Sequence, residues 1–591
     1  MKLCHAVAVL TAIVIIWAMN AAATVKIVRT GGTYATITGA VAATLSGDRL
    51  NISTGTYVEN VKVDGKALTI EGGYALDCVT PIPSALSLIS APGGVALAYV
   101  NGATGTVAKM LITGATGSAV LLNNGSFLTL NACLISGNHS MDDGGGLWIY
   151  GNCRCVLTNT VLYSNWAQIS GGGIYVNYNS TVELVGTQSL CFANSAYMGG
   201  GVSAMGNSRL LMHDAARVHG NWARNQGGGV MASNAAIIVD TGASIGSFGW
   251  PNYVTNSSGV GGGIWARNAT VFLTNGGAVA YNTAQSAGGG IWGETNCTVI
   301  GGAIRGNTAT NYSGGVFCQF STVRDCLIES NTTYGTAGAI YSYSGTISNC
   351  EITANTSRDG AGLYGVLDTI SCCSISSNTA SGNIAGVFAI GGMVDRCVIT
   401  RNYANQIGGA YGSATQYRNC LIAGNVASAK WGGYLSDGYG KLENCTIVGN
   451  SALDSPGATF GAADTNINTV IYNNGAQNWV TNSPAVAFFY CCTTPGVPGP
   501  GSITNNPMFV DRPNGDYHLD PSSPCRETGI SQPWMAGAKD LDGNDRVVGG
   551  MVDMGCFEAV PEPAAIAATM LALVLFPRRK PSAECGVRRA E

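Results

Sequence analysis

One short phrase recurs along the middle of the chain: a cysteine, two or three apolar residues, one or two small or charged residues, and then asparagine. The phrase reads CLIESN from Cys326, CEITAN from Cys350 and CTIVGN from Cys445. The closing asparagines of the regular copies are 23 to 25 residues apart: Asn307, Asn331, Asn355, Asn378, Asn402, Asn425, Asn450 and Asn473. A fixed period of this size is typical of a solenoid, in which each repeat buries the faces of its neighbours.

Within each period, short apolar runs alternate with glycine clusters such as GGGIY from Gly171 and GGGIW from Gly261. This pattern predicts two or three short strands per coil, and strands of successive coils should pair in parallel. Parallel crossovers strongly prefer one hand. We therefore predict an all-β, right-handed parallel β-helix of about 17 coils. The coils before Asn282 are longer, and we expect loops and any binding specificity there.

The repeated polar residues have predicted structural roles. Asparagine tolerates left-handed backbone, so it can occupy a corner, and stacked asparagines can form an amide ladder. Six cysteines share one repeat position and should form a column of buried thiols: Cys326, Cys350, Cys373, Cys397, Cys420 and Cys445. Parallel Cβ vectors in such a column suit disulfide geometry poorly. Cys525 with Cys556 is the candidate disulfide near the C-terminus.

The two ends of the chain have the composition of processing signals. Lys2, the apolar run after it and Ala21-Ala22-Ala23 predict a secretory signal peptide. The predicted organisation is a signal peptide at 1–23, a cap and first coils at 24–130, repeats at 131–495, a C-terminal cap at 496–559 and a sorting tail at 560–591. Within the first cap, residues 34–45 are predicted to form a helix.

Four stretches resemble known families. The segment VKIVRTGGTYATITGAVAAT from Val25 resembles the entry of pectin lyase-like proteins, and the asparagine and GGGI phrases are similar to the repeats of chlamydial polymorphic outer membrane proteins. NNPMFVD from Asn505 and DLDGNDRVVGGMVDMGCFE from Asp540 resemble the C-terminal segment of choice-of-anchor Q proteins. Val560-Pro-Glu-Pro, an apolar run and Pro577-Arg-Arg-Lys resemble a PEP-CTERM sorting tag.

These resemblances imply export to a bacterial cell envelope, outer surface or extracellular matrix. They also imply recognition of the tail by a sorting protease, and membrane contact only in transit through the signal peptide and tail. We expect the choice-of-anchor-like segment to plug the open end of the helix, since an unpaired last coil invites edge-to-edge aggregation.

Composition narrows the function classes. The chain is 46 % hydrophobic, which is too apolar for a disordered protein. Its net charge is −4 over 591 residues, so it lacks the basic footprint of a nucleic-acid-binding protein. We expect no nucleic-acid partner.

Asp142-Asp143 is the candidate catalytic pair, because a glycoside hydrolase needs two carboxyl groups. A solvated turn before Gly144 is the alternative explanation. The sequence motifs that accompany such a pair in polygalacturonases are absent here. We therefore assign no catalytic residue and keep Asp142 and Asp143 only as candidates.

Asp540, Asp542 and Asn544 resemble the start of a calcium loop, although Met551 stands where a bidentate glutamate would be needed. We expect no cofactor apart from a structural calcium ion at this place; an Asp-Gly turn is the alternative.

Aromatic residues follow several glycine clusters, which could make either a sugar-stacking stripe or an interior stack: Trp148, Tyr175, Trp265, Trp292 and Tyr341. Our interpretation is the interior stack.

The sequence favours a non-enzymatic adhesin or carbohydrate-binding rod that binds polysaccharide or cell-surface and matrix components. The alternative is a polysaccharide lyase or glycoside hydrolase acting on acidic polysaccharide, since β-helices also host such enzymes and fold does not fix function.

Overall fold

The computed structural model describes residues 23–559 except 92, 454–455 and 482–484. The signal peptide and the sorting tail predicted from the sequence lie outside these residues, apart from Ala23. The protein is an all-β, right-handed parallel β-helix of about 17 coils, as predicted. The chain divides after Phe317 into an N-terminal unit and a C-terminal unit. No helix within the described residues is long and apolar enough to cross a membrane.

A complete coil has four strands, not the two or three that we predicted. We number the sheets that these strands form I to IV, in the order in which the chain passes through them. The strands of sheet III are often only two residues long, which is why the sequence pattern did not reveal them.

In the N-terminal unit the strands occupy the following ranges. Sheet I contains Asp48–Ser53, Ala67–Tyr74, Thr104–Ala108, Phe127–Asn131, Arg154–Thr158, Thr181–Val185, Arg209–His213, Ala236–Val239, Thr270–Leu273 and Thr298–Ile300. Sheet II contains Thr56–Val58, Ser87–Ser90, Met110–Thr113, Leu134–Ser136, Val161–Tyr163, Leu190–Phe192, Arg217–His219, Ser244–Ile245, Ala278–Ala280 and Ala303–Arg305. Sheet III contains His139–Ser140, Trp166–Ser170, Ser195–Met198, Trp222–Gln226, Tyr253–Val254, Thr283–Ala284 and Thr308–Ala309. Sheet IV contains Val61–Asp64, Leu97–Val100, Val120–Asn123, Leu147–Tyr150, Ile174–Asn177, Val202–Met205, Val230–Ser233, Ile264–Arg267 and Ile291–Glu294. The strand Val316–Gln319 contains the point of division.

The C-terminal unit repeats the same arrangement with shorter strands. Sheet I contains Thr322–Arg324, Thr346–Ser348, Thr369–Ser371, Met393–Asp395, Gln416–Arg418, Lys441–Glu443, Thr465–Ile467 and Ala487–Phe489. Sheet II contains Leu327–Glu329, Glu351–Thr353, Ser374–Ser376, Val398–Thr400, Leu421–Ala423, Thr446–Val448, Val470–Tyr472 and Cys492–Thr493. Sheet III contains Thr332–Thr333, Thr356–Ser357, Thr379–Ala380, Tyr403–Ala404, Val426–Ala427 and Ser451–Ala452. Sheet IV contains Ile340–Tyr343, Leu363–Val366, Val387–Ile390, Ala410–Ser413, Tyr434–Gly438, Ala458–Phe460 and Trp479–Thr481.

The core is a set of in-register columns of apolar side chains inside each unit. In sheet II of the C-terminal unit, the central residue of each three-residue strand points inward and is fully buried: Ile328, Ile352, Ile375, Ile399, Ile422, Ile447 and Ile471. The first and last residues of these strands face outward, as strand alternation requires. The apolar pair that follows each ladder cysteine therefore divides between the interior and the flank of the coil.

The chain begins with an antiparallel strand, Val25–Ile27, which pairs with Thr33–Tyr34 and Asp48–Ser53. The only α-helix among the described residues is Ile37–Ala43, shorter at both ends than the predicted 34–45. The Thr36 side chain accepts a hydrogen bond from the Gly39 amide, and the Glu59 carboxylate accepts from the amides of Ile37 and Thr38. These acceptors satisfy the first free N–H groups and set where the helix begins.

Asparagine ladders line one corner of the coils in each unit. Asn355 donates from its backbone N and from Nδ2 to Asn378 Oδ1, both at 3.0 Å, and the same pair of bonds repeats at the next asparagine. The ladder asparagines are Asn138, Asn165, Asn194, Asn221, Asn252, Asn282 and Asn307 in one unit and Asn331, Asn355, Asn378, Asn402, Asn425, Asn450 and Asn474 in the other.

Two details of the predicted ladder are wrong. The last position is Asn474, whereas Asn473 is exposed and precedes it. The left-handed residue is also not the ladder asparagine but the residue before it, as at Ser377 (φ 56°) and Arg401 (φ 54°). The asparagine side chain is therefore free to point inward and bond along the column.

Glycine clusters allow sheet III to turn into sheet IV against the neighbouring coil. A Cβ atom at Gly172 would lie 2.3 Å from the Ser195 carbonyl oxygen. No side chain fits at that separation, so close backbone approach accounts for the repeated glycine.

The six predicted ladder cysteines are all buried in the C-terminal unit: Cys326, Cys350, Cys373, Cys397, Cys420 and Cys445. Burial, and then hydrogen bonds with Cys397 and Cys445, raise the pKa of the Cys420 thiol. Cys491 takes the equivalent corner of the last coil, where its Sγ donates to the Asn466 carbonyl. The column therefore consists of thiols packed as small apolar groups.

The C-terminal segment, residues 503–558, lies along the outer flank of sheet II in its unit. Ile503 pairs with the last sheet II strand. Beyond it, Asn444 Nδ2 donates to the Asp553 carbonyl and Asn468 Nδ2 to the Ile530 carbonyl. Phe509–Asp511 and Asp516–Leu519 form an antiparallel hairpin around the 3₁₀ turn Arg512–Asn514, and a second 3₁₀ turn spans Pro533–Met535. We predicted a plug over the open end, but these contacts lie mainly on the side of the coils.

Candidate functional site

Aromatic side chains crowd the outer surface of the N-terminal unit beside its asparagine ladder. The last residues of three successive sheet II strands, Tyr163, Phe192 and His219, are in register and face outward. Tyr163 and Phe192 stack at 5.6 Å between ring centroids, and Phe192 and His219 at 4.9 Å. In-register pairing places a ring above a ring wherever successive coils carry aromatic residues at this position.

A short insertion extends this surface. Asn221 and Asn252 are ladder neighbours 31 residues apart, so the coil between them is longer than the 23- to 25-residue coils of the regular repeat. The extra residues form a turn in which Ser247 and Trp250 make an antiparallel bridge. Phe248, at the tip, is 82 % exposed, and Trp250 is 42 % exposed. The insertion thus holds two large aromatic side chains in solvent.

The insertion packs against its neighbours through ring edges. Trp250 meets Phe192 at 5.0 Å with an interplanar angle of 86°, and Phe248 meets Tyr281 at 5.5 Å and 79°. Ser247 Oγ lies 3.2 Å from His219 Nδ1. We call Tyr163, Phe192, His219, Phe248, Trp250 and Tyr281 the aromatic platform.

Gly220 is required beneath the platform. Its φ is 64°, and a Cβ atom there would lie 2.6 Å from the Phe192 ring. A side chain at this position would push the Phe192 ring away from the backbone. Glycine at position 220 therefore leaves room for the Phe192 ring to lie flat on the corner of the coil.

The aromatic residues predicted from the glycine clusters lie elsewhere, on the outer face of sheet IV. Leu147 and Ile149 fill the interior, and Trp148 between them points outward. The interpretation of an interior stack is therefore wrong for the five residues, which occupy the equivalent outward position of their strands: Trp148, Tyr175, Trp265, Trp292 and Tyr341.

In the C-terminal unit this outer column is a continuous stack. Tyr341, Tyr364, Phe388 and Tyr411 follow one another at 4.9, 4.2 and 4.7 Å with interplanar angles of 13° or less. In such a stack each ring face is covered by the next ring, so only ring edges remain for a ligand. The stack stabilises the coils rather than offering a sugar-binding surface.

The candidate catalytic pair lies on the turn between sheets III and IV of the N-terminal unit. Asp143 Oδ1 accepts a hydrogen bond from Ser170 Oγ at 2.6 Å, and burial raises the pKa of the Asp143 carboxyl. Asp142 beside it is exposed. The two carboxyl groups therefore have different environments, but nothing in the structure assigns either a reaction, and their catalytic role stays a prediction.

The candidate calcium residues Asp540 and Asp542 bond to other groups of the protein. Asp540 is buried, and its carboxylate accepts from the Asn544 amide at 2.7 Å and the Glu558 amide at 2.8 Å. Asp542 pairs with His518 Nε2 at 2.6 Å, and that hydrogen bond raises the pKa of His518 to about 9, so the imidazole is charged. Within the described residues, no cluster of three or more histidine, cysteine, aspartate or glutamate side chains could hold a metal ion.

Comparison with known proteins does not place this chain in a family, so its class of protein is defined by its structure. No family model matches the chain, and no curated protein matches it. The fold and the platform together define a parallel β-helix protein with an exposed aromatic surface on its N-terminal unit. The family resemblances described in the sequence analysis therefore stay predictions.

The platform residues were not predicted individually. A signal was present, because SFGWPN from Ser247 places two aromatic residues within the longest stretch between ladder asparagines of the N-terminal unit. We predicted that loops and specificity belong to the longer coils, and the platform lies in those coils. Which side chains would meet across coils depends on register, which the sequence does not reveal.

Proposed function

We propose that this protein is an exported, non-enzymatic β-helix protein that binds polysaccharide through the aromatic platform. The observation that supports the proposal most strongly is the insertion that holds Phe248 and Trp250 in solvent against Tyr281 and Phe192. Exposed apolar clusters are rare on monomeric proteins unless they bind something.

Ring geometry favours a sugar as the ligand. Tyr163, Phe192 and His219 cover one another's faces, so the platform rings that we propose contact the ligand are Phe248, Trp250 and Tyr281. These three rings are exposed and meet their neighbours edge-to-face rather than in a continuous stack like that on sheet IV, so part of each apolar ring face is open to solvent. Trp250 and Tyr281 add an indole N–H and a phenol O–H to these apolar faces, so that a ligand with both C–H faces and hydroxyl groups is matched. The rings lie on an outer surface rather than in a closed cavity, which suits a long polymer.

The non-enzymatic part of the proposal rests on the chemistry of the platform. Of its six residues, all described by the structure, none carries a carboxyl group, and glycoside hydrolysis ordinarily needs two. The alternative enzyme hypothesis rests on Asp143, whose carboxyl has a raised pKa. Asp143 lies on the turn between sheets III and IV, whereas the platform lies at the end of the sheet II strands. Location at the cell surface or in the matrix rests on the terminal sequence signals alone.

A glycan array tests the binding proposal. The 24–558 fragment should bind a subset of neutral or uronic-acid polysaccharides, and Phe248→Ala should lose signal on that subset. Tyr334→Ala is the matched control, because Tyr334 is 73 % exposed and belongs to the C-terminal unit. Binding that survives Phe248→Ala, or binding only to proteins, would contradict the platform as a glycan site.

A second assay separates binding from catalysis. The same fragment, incubated with the polysaccharides that it binds, should release neither new reducing ends nor unsaturated products. Release that disappears in Asp142→Ala or Asp143→Ala would establish the enzyme hypothesis instead.

A further inference from the structure

Cys492 differs from the ladder cysteines because its side chain points outward. It lies in register with Val470 on sheet II, whereas the neighbouring residues Ile471 and Thr493 form the inward column. Its predecessor Cys491 occupies the interior corner. The vicinal pair thus divides between the two sides of the sheet, and only Cys492 faces the C-terminal segment.

The C-terminal segment brings Cys525 onto Cys492. Cys492 and Cys525 belong to one buried cluster with Val470, Leu519 and Met554, and the neighbouring Cys525 thiol, together with burial, raises the pKa of the Cys492 thiol. The Cys492 Sγ donates a hydrogen bond to the Asn505 carbonyl at 3.2 Å. Cys525 is held there by a hydrogen bond from its own N–H to Ser523 Oγ at 3.1 Å and by one from the Met554 N–H to its carbonyl at 2.9 Å.

This approach differs from that of the ladder thiols. Ladder cysteines leave equivalent positions of parallel strands, so their Cβ vectors run side by side. Cys492 points out from the sheet and Cys525 approaches it from the covering segment, so their side chains meet from opposite directions. Converging Cβ atoms are what a disulfide requires. Cys556, the partner that we predicted for Cys525, lies instead in a separate cluster with Leu421 and Val448.

We propose that Cys492 and Cys525 are a disulfide-forming pair that fastens the C-terminal segment to the last coils. The residues are 33 apart in the chain, so the bond would close a long loop. It would tie the segment that directly precedes the predicted sorting tail to the β-helix.

The reaction needs a disulfide oxidant, which we take to be oxidised glutathione or a thiol–disulfide oxidoreductase. The Cys525 thiolate attacks the oxidant disulfide, forming a mixed disulfide and releasing one reduced thiol. The Cys492 thiolate then attacks the Cys525 sulfur and releases the second reduced thiol. Two protons leave the protein and two electrons pass to the oxidant. Both thiols are buried in the docked segment, so the first step takes place before docking or on transient opening.

Peptide mapping tests the proposal. The 24–558 fragment is incubated with a glutathione redox buffer, alkylated and digested with Asp-N endoproteinase, which cleaves before Asp511, Asp516 and Asp520 and separates the two cysteines. We expect a linked pair of peptides that dithiothreitol releases. Cys491→Ser should keep the link, whereas Cys492→Ser and Cys525→Ser should abolish it.

A second measurement does not depend on the variants folding. In the wild-type fragment, cleavage of the C-terminal segment by a non-specific protease should be at least tenfold slower after oxidation than after reduction. Unlinked peptides after oxidation of the wild-type fragment would overturn the proposal. A link that requires Cys491 or joins Cys556, or equal cleavage rates in both redox states, would also overturn it.

Discussion

At the scale of single residues, each interior asparagine of the ladder joins its coil to both neighbouring coils by hydrogen bonds. Asn378 Oδ1 accepts from both the backbone N and the Nδ2 of Asn355, while its own Nδ2 donates to Asn402 Oδ1 and to the Ile352 carbonyl. Asn378 is fully buried. Buried polar groups that lose their partners are costly, so the side chain has no apolar substitute.

Replacing Asn378 with alanine should destabilise the C-terminal unit by about 2–4 kcal/mol, because the Asn355 amide loses its acceptor inside the protein. Urea unfolding monitored by circular dichroism measures the change. Asn405→Ala is the matched control, since Asn405 is exposed and its side chain bonds only to Ser428 Oγ among the described contacts. A shift of equal size in both variants would show that the ladder is not the cause.

Asp368 and Asp464 are two buried carboxyl groups that differ in the hydrogen bonding of Oδ2. Asp368 Oδ1 accepts from Ser342 Oγ and the Gly345 amide, but its buried Oδ2 has no hydrogen-bond partner. Burial raises the pKa of Asp368 to about 6. Its contribution to stability is therefore present below pH 4 and is lost as the pH rises through 6.

Asp368→Asn should raise stability at pH 7 by about 1 kcal/mol and remove this part of the pH dependence, since the new amide replaces an unpartnered oxygen. Asp464→Asn should do the opposite, because Asp464 Oδ2 accepts from the Gly461 amide and an amide nitrogen there would face a donor. Thermal melts from pH 4 to 8 distinguish the two. Stabilisation by both substitutions would contradict the bonding described here.

At the scale of elements, strand and helix boundaries follow from local acceptors and from register. The repeat predicted that strands exist and stack, but not that each coil has four. It also could not say which side of sheet IV takes the aromatic residues, because isoleucine and tyrosine are both apolar enough for an interior. Aliphatic side chains take the interior positions next to these rings, as Leu147 and Ile149 do on either side of Trp148, so these rings face out.

The single described α-helix gives an element-scale prediction. Glu59→Ala should cost the N-terminal cap about 1 kcal/mol, because the Ile37 and Thr38 amides lose a charged acceptor. Hydrogen exchange should rise in Ile37–Ala43 and remain unchanged in sheet II of the same unit. Unchanged exchange in the helix would show that Thr36 alone caps it.

At the scale of the whole molecule, the sequence was sufficient for the fold class and insufficient for the site. Regular periods of 23 to 25 residues predicted the β-helix, because each repeated residue has one structural role. The platform arises where the period lengthens, and its residues come from five coils that only register brings together. The C-terminal segment likewise shares no repeat with the coils, so its place on the flank had no periodic signal.

The central claim, that the platform is a polysaccharide-binding surface, is tested most directly by isothermal titration calorimetry with the glycan that ranks first on the array. Removing an exposed stacking ring should cost about 1–2 kcal/mol of binding. We therefore predict that Phe248→Ala weakens binding about 5- to 30-fold and that Tyr334→Ala leaves the affinity unchanged. An unchanged dissociation constant in Phe248→Ala would contradict the claim.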